Sequence, residues 1–259
     1  MKSEPKISVV LPVLAPTAFH VAMTKFAITA LRTHADRPFE LIIVEASYSH
    51  FDPDTVEPSA TPDVYLNFTP PIGGVKEANA AVRAALGDFI VYTGNDVFPP
   101  PHWDTELLLP FERYKDCGAS TLGASEPGYI IGPPEPVDLI VEGMYSPFTM
   151  WRRGWELDEA YQRIYQDSDL IMRMYDAGLR SYRNLRAQVR HLGSVTNQTV
   201  NRAEHDRQVG IDERLFYQRW GKSPLAMFGM IRRGSMVYGR EHEAWLTPIR
   251  LHYDPNRVD

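Results

Sequence analysis

The chain has 259 residues, with 33 acidic against 27 basic side chains and a formal net charge of -6. That length suits one α/β enzyme domain with a C-terminal extension and a large buried core, while the acidic balance argues against holding nucleic acid by general electrostatics, which needs Lys and Arg to displace counterions. Cys117 is the only cysteine, which excludes an intrachain disulfide and a cysteine-based metal site and fits a reducing compartment. No stretch approaches the roughly 18 apolar residues of a membrane span, so the expectation is a cytoplasmic protein.

In chain order, Ile7 to Leu14 is a nearly continuous apolar run, and Leu41 to Val44 and Phe89 to Tyr92 repeat the type. Such runs suit strands buried on both faces. Between them Thr17 is placed to cap a helix with a stripe of Phe19, Ala22 or Met23, Phe26 and Ala30. A short strand is expected over Val64 to Phe68, then a helix from about Val75 to Leu86 with Val75, Ala78, Val82 and Leu86 on one face and Gly87 as terminator. This alternation predicts an open, mostly parallel α/β sheet with right-handed crossovers and ligands at the carboxyl ends of its strands. Prolines and glycines crowd 99–101 and 123–136, predicting long loops over a mouth rather than more sheet. A helix over Ser168 to Ala177 closed by Gly178, a strand near Tyr182 to His191 and an ordered flap after Asn197 complete the reading.

Four segments offer chemistry. Asp96 follows the Phe89 to Tyr92 strand on a turn made by Gly94 and Asn95, where a carboxylate can coordinate a divalent cation that also holds a diphosphate; an Asx turn serves the same residues equally well. Asn79 lies on the inward stripe of its helix and needs a partner, either a nucleotide or the protein's own backbone, and Lys76 with the Gly73–Gly74 turn either meets an anion at the helix N-terminus or is solvated. Neither G-x-G-x-x-G nor G-x-x-x-x-G-K-[ST] is present, which weakens dinucleotide-enzyme and P-loop readings. Asp167 and Asp169 precede one helix, where one acid suffices as a cap; the surplus carboxylate is a candidate general base. His191 closes the last strand as a candidate metal ligand, although a lone histidine is more often structural.

Taken together, these segments resemble glycosyltransferase family 2, of the GT-A fold. The resemblance is carried by VVLPVL, ELIIVEAS, GGVKEANAAVRAALGDFIVYTGNDV, QDSDLIMRMYDAG, HLGS and DERLFYQRWG, spanning about Lys6 to Gly221. It implies a GT-A domain over 1–221, with a nucleotide-sugar half to about 103 and an acceptor half from about 104, and an extension over 222–259 packed on it. It further implies an inverting, metal-dependent transfer of a sugar from a nucleoside-diphosphate sugar, first of all a UDP-sugar, to an acceptor hydroxyl on a glycan, lipid-linked saccharide, protein or modified nucleic-acid base. Glu45 would contact the base or ribose, with Pro12 and Val13 lining the pocket and Lys76, Asn79 and Asn95 on the donor. Asp96 and His191 would hold Mn²⁺ or Mg²⁺, Asp167 would be the base and Asp169 the second acid. The chain departs from the family at Gly94, where the first Asp of the DxD metal motif is usual, at Glu45–Ala46, and at Gln166, which replaces the Glu of the ED pair. Trp103, Trp151 and Trp155 are candidates to stack on a sugar ring or to fill the core. The competing readings are a sugar nucleotidyltransferase, weakened by the absence of a Gly-rich basic loop after Leu14, and a catalytically silent nucleotide-sugar-binding module, suggested by Gly94.

Overall fold

A computed structural model describes residues 6–46, 50–57, 61–126, 129–131, 136–143, 147–193 and 202–221; the expected extension over 222–259 and Ser194 lie outside them. The first apolar runs form parallel strands: β1 (Ile7–Val13), β2 (Glu40–Ala46), β3 (Val64–Phe68) and β4 (Phe89–Thr93), in the spatial order β3-β2-β1-β4. Helices α1 (Ala18–His34) and α2 (Gly74–Ala84) cover opposite faces of this sheet. Ile28 and Leu31 of α1 pack with Val9, Leu11, Leu41 and Ile43, whereas Val75, Ala78 and Val82 of α2 pack with Val10, Ile42 and Val44. The continuous apolar runs are thus explained by burial on both faces, which stabilises by about 1.5–3 kcal/mol for each large side chain.

Two helix details correct the sequence reading. The buried face of α1 is His20, Met23, Thr24, Ala27, Ile28, Ala30 and Leu31, leaving Phe19 and Phe26 exposed; the two polar members are buried because Thr24 donates to the His20 carbonyl and accepts from Asn95, and His20 meets the Thr17 hydroxyl. Thr17 therefore spends its side chain on His20 rather than on a capping N–H. At the end of α2, Leu86 is exposed and Gly87 lies beyond the helix, where a Cβ would stand 2.6 Å from the Ser8 nitrogen. Gly87 admits close approach to β1 rather than terminating the helix.

The chain after Pro99 holds more regular structure than its prolines suggest. β5 (Val97–Phe98), α3 (Trp103–Arg113), β6 (Cys117–Glu126), β7 (Tyr129–Ile131), β8 (Ile140–Glu142), β9 (Phe148–Arg152), α4 (Gln166–Asp176), β10 (Arg180–His191) and α5 (Arg202–Trp220) follow. The main sheet path is β3-β2-β1-β4-β9-β6-β10-β5, with β7 on β6 and β8 on β10. Along that path β1, β2, β3, β4, β6 and β10 share one direction, and β9 and β5 are reversed. Of the two expected loops, 99–101 is the turn that leads into α3, whereas within 123–136 β6 continues to Glu126 and β7 covers Tyr129–Ile131. α3 tolerates Pro110 because the Glu106 carbonyl, which a proline N–H cannot satisfy, accepts from the buried Asn184 amide of β10 at 2.9 Å. The α4 prediction holds closely, with Gly178 at φ +81° ending it in the left-handed region. Among the described residues no helix is long and apolar enough to cross a membrane.

Candidate active site at the carboxyl ends of the strands

Asp96 sits between β4 and β5, and its position is fixed from three sides. β5 pairs antiparallel with β10, setting Val97 opposite His191, and the Leu192 N–H donates to the Asp96 carbonyl at 3.0 Å. Asn95, buried, donates to the Thr24 hydroxyl at 2.8 Å and the Leu14 carbonyl at 3.4 Å, tying the turn to the start of α1. The result brings Asp96 Oδ2 within 3.3 Å of His191 Nε2, each side chain 10% exposed. Residues 95 apart in sequence therefore share one rim of the sheet. Gly94 is part of the same device: a Cβ there would stand 2.7 Å from Asp96 Oδ1, so the Asp96 carboxylate leans over Gly94.

A second carboxylate marks the end of β2. Glu45 lies opposite Val13 of β1 and Asn67 of β3, and Pro12 stays partly exposed beside the buried Val13. Glu45 is 2% exposed. Its Oε2 accepts from the Tyr65 hydroxyl, while its buried Oε1 has no partner. An unmet carboxylate oxygen in a dry site is costly, which marks a position for a ligand's N–H or O–H.

The α2 residues fare differently. Asn79 is fully buried, but its amide is clamped on the Leu157 backbone, donating at 2.8 Å and accepting at 3.0 Å, with a further bond to Glu159 at 3.1 Å. Its buried amide is satisfied by protein, not presented to a nucleotide. Lys76 is exposed. The Ile72 and Gly73 N–H groups donate to the Glu77 carboxylate at 2.9 and 3.2 Å, so these two amides at the start of α2 are taken by the helix itself rather than by an anion.

The two acids of α4 separate cleanly. Asp167 keeps part of its surface exposed, and among the described residues its side-chain hydrogen bonds are to the neighbouring Ser168, whose N–H donates at 2.7 Å. Burial raises its pKa above the ordinary carboxylate value, the Ser168 bonds offsetting part of the effect. Asp167 also acts on Tyr92 of β4, whose pKa is pushed up to about 12 by burial and then by the Asp167 charge, so α4 starts against the strand that leads to Asp96. Tyr165, just before the helix, has φ 63°, a strained conformation for an aromatic residue that clusters at functional sites. Asp169, by contrast, is fully buried and spent. Its carboxylate accepts from Arg173, Arg219, Trp220 and Tyr161 at 2.8, 2.8, 3.0 and 3.2 Å. It fastens α5 to α4, with three donors on Oδ1 and Arg173 on Oδ2, so the residue expected as the second acid serves here as the centre of a buried hydrogen-bond network. Asp212 of α5 repeats the device, accepting from the Gln162, Arg163 and Ile164 N–H groups at 2.9, 2.7 and 2.9 Å. The tryptophans are also structural: Trp103 and Trp151 are core residues whose indoles donate to the Leu31 and Trp155 carbonyls, and Trp155 packs against the core from its edge.

Sequence reasoning missed Tyr65 and Tyr92. The available signal was register: Tyr65 stands three residues before the end of β3, beside β2 and its Glu45, and Tyr92 one residue before the end of β4, the strand that leads to Asp96. Among the described residues no group of three or more His, Cys, Asp or Glu donors converges. Asp96 and His191 nevertheless fit a divalent cation, because adjacent ligands about 2.1 Å from an octahedral ion stand roughly 3 Å apart, near their 3.3 Å, and an oxygen–imidazole pair leaves the remaining positions to phosphate oxygens and water.

This rim, on a mostly parallel sheet with helices on both faces, defines the GT-A fold. No protein-family profile matches the sequence, and neither does any curated protein. Among solved structures the chain is similar to the mannosyltransferase PcManGT from Pyrobaculum calidifontis in complex with GDP-Man and Mn²⁺, with a TM-score of 0.59 at 14% identity, covering 98% of this chain and 77% of that one. S. aureus TarS gives 0.58 at 13% identity, covering 95% of this chain, which spans 43% of the length of that protein. A shorter form of TarS in complex with UDP gives 0.56 at 14% identity, covering 94% and 78%.

Proposed function

We propose that the protein is a family-2 glycosyltransferase that moves a sugar from a nucleoside-diphosphate sugar to an acceptor hydroxyl with inversion. The observation that carries this reading is the meeting of Asp96 and His191, 3.3 Å apart on the strand ends, on a sheet shared with transferases whose structures hold GDP-Man with Mn²⁺ or UDP. Residues 1–221 would form the catalytic domain, with 222–259 as an extension packed on it.

The base of the nucleotide belongs at Glu45, beside Pro12 and Val13, and its diphosphate toward Asp96. Asp96 and His191 would hold Mn²⁺ or Mg²⁺, which when bound neutralises charge on the departing diphosphate. Asn95 sets the angle of the turn that carries Asp96, and Lys76, free of the core, is available to the donor's outer face. Asp167 takes the proton from the acceptor hydroxyl: it has spare lone pairs, and a raised pKa makes it a stronger base than an ordinary carboxylate. Attack from the face opposite the diphosphate inverts the anomeric centre. Acceptors bearing such a hydroxyl include a glycan, a lipid-linked saccharide, a protein side chain or a modified nucleic-acid base.

The test is release of nucleoside diphosphate from a panel of nucleotide sugars with Mn²⁺. Asp167→Asn is expected to cut turnover by about 10²–10⁴ with donor affinity unchanged. Turnover in the variant equal to that of the native protein overturns the base assignment, and no metal-dependent nucleotide binding by the native protein overturns the whole reading.

A further inference from the structure

We infer that Tyr65 is a specificity-determining residue of the base pocket, selecting uracil by consuming one oxygen of Glu45 and leaving one. The inference rests on the nucleotide reading above and adds to it a residue and a choice of base.

Three observations lead here. The Tyr65 hydroxyl donates to Glu45 Oε2, and burial, followed by that bond, pushes the tyrosine pKa up to about 12, so it stays a proton donor at any physiological pH. A relay holds it in place, with the Thr69 hydroxyl donating to Asn67 Oδ1 at 2.9 Å and the Asn67 amide donating to the Tyr65 oxygen at 3.3 Å. Glu45, 2% exposed, is thereby locked with Oε1 buried and unpartnered.

A carboxylate with both oxygens open matches guanine, whose ring N–H and amino N–H stand side by side and can fill it in a bidentate manner. With Oε2 already engaged by Tyr65, Oε1 is the oxygen left without a partner among the described residues. Uracil offers a single ring N–H, flanked by carbonyls, and meets that acceptor without leaving a donor unmatched. Guanine would leave its second donor competing with Tyr65 for Oε2. Cytosine offers an amino N–H, but beside it a ring nitrogen whose lone pair faces the carboxylate and repels it.

Calorimetric titration of the full chain with UDP, GDP and CDP in the presence of Mn²⁺ tests this. UDP is expected to bind roughly tenfold or more tightly than either competitor, the scale of one charge-assisted hydrogen bond. Tyr65→Phe frees Oε2 and is expected to lower the UDP-to-GDP preference by about fivefold or more, through a gain for GDP. Glu45→Gln, which puts an amide donor in the pocket, is expected to erase the preference and serves if Tyr65→Phe does not fold. Equal binding of the three nucleotides by the native protein overturns the inference and leaves the transferase reading standing, as does a Tyr65→Phe variant, or in its place a Glu45→Gln variant, with an unchanged preference. Failure of all three to bind overturns both.

Discussion

The buried carboxylates at the strand ends and those at the junction of α4 with α5 belong to the same residue types and differ in what they have left over. At the strand ends Glu45 has an unpartnered oxygen and Asp96 faces one imidazole across 3.3 Å. At the helix junction Asp169 accepts from four side chains and Asp212 from three backbone amides. Burial is therefore common to both groups; unspent hydrogen-bonding capacity is what separates them. Asp167 lies two residues from Asp169, yet it belongs with the strand-end group by this measure.

Mutation can break that division, and the largest effect is expected at the junction. Asp169→Ala leaves the Arg173 and Arg219 guanidiniums without their buried anion, and removing one member of such a buried network costs about 3–5 kcal/mol; chemical denaturation reads the loss, and a small one would mean that α5 is held by packing alone. Asp96→Ala is expected to leave the fold intact and to weaken Mn²⁺-dependent nucleotide binding by about 10–100-fold, or 1.4–2.8 kcal/mol, seen by titration with and without the metal. Asn79→Ala breaks the clamp on Leu157 and is expected to cost about 1–3 kcal/mol of stability with nucleotide affinity unchanged; lost affinity at full stability would return Asn79 to the donor site.

The smallest effect, on stability against pH, sharpens the placement of Asp167. Burial raises its folded pKa above the usual carboxylate value, so between the two values the folded chain holds more protons than the unfolded one and stability falls as pH rises. Asp167→Asn removes that slope. Its melting temperature is expected to exceed that of the native protein at neutral pH and to converge with it below the ordinary carboxylate range, a gain in stability at the expense of activity.

Sequence and structure agree where chemistry is local. The apolar runs of β1, β2 and β4 state their double-sided burial directly, and the α4 periodicity, with Gly178 behind it, gives that helix within two residues at each end. Asp96 and His191 were recognisable as candidates, each at the end of a strand, but what brings them together is the two-residue strand β5, too short to carry a pattern. Two of the partners of Asp169, Arg219 and Trp220, lie about 50 residues downstream on α5, so no window around α4 could show that Asp169 is the fully engaged acid of the two. α3 was hidden by Pro110, because its repair comes from Asn184 on β10. The α1 stripe was misplaced because His20 and Thr24 are buried with polar partners, whereas Phe19 and Phe26 look like core and are not.

Asp96 Oδ1 fills the space that a Cβ at position 94 would need, so any side chain introduced there must move the Asp96 carboxylate. The contact with His191 across 3.3 Å is therefore available to a chain with glycine at 94 without rearrangement, and residue 94 constrains the pair although it touches neither the imidazole nor the strand β10.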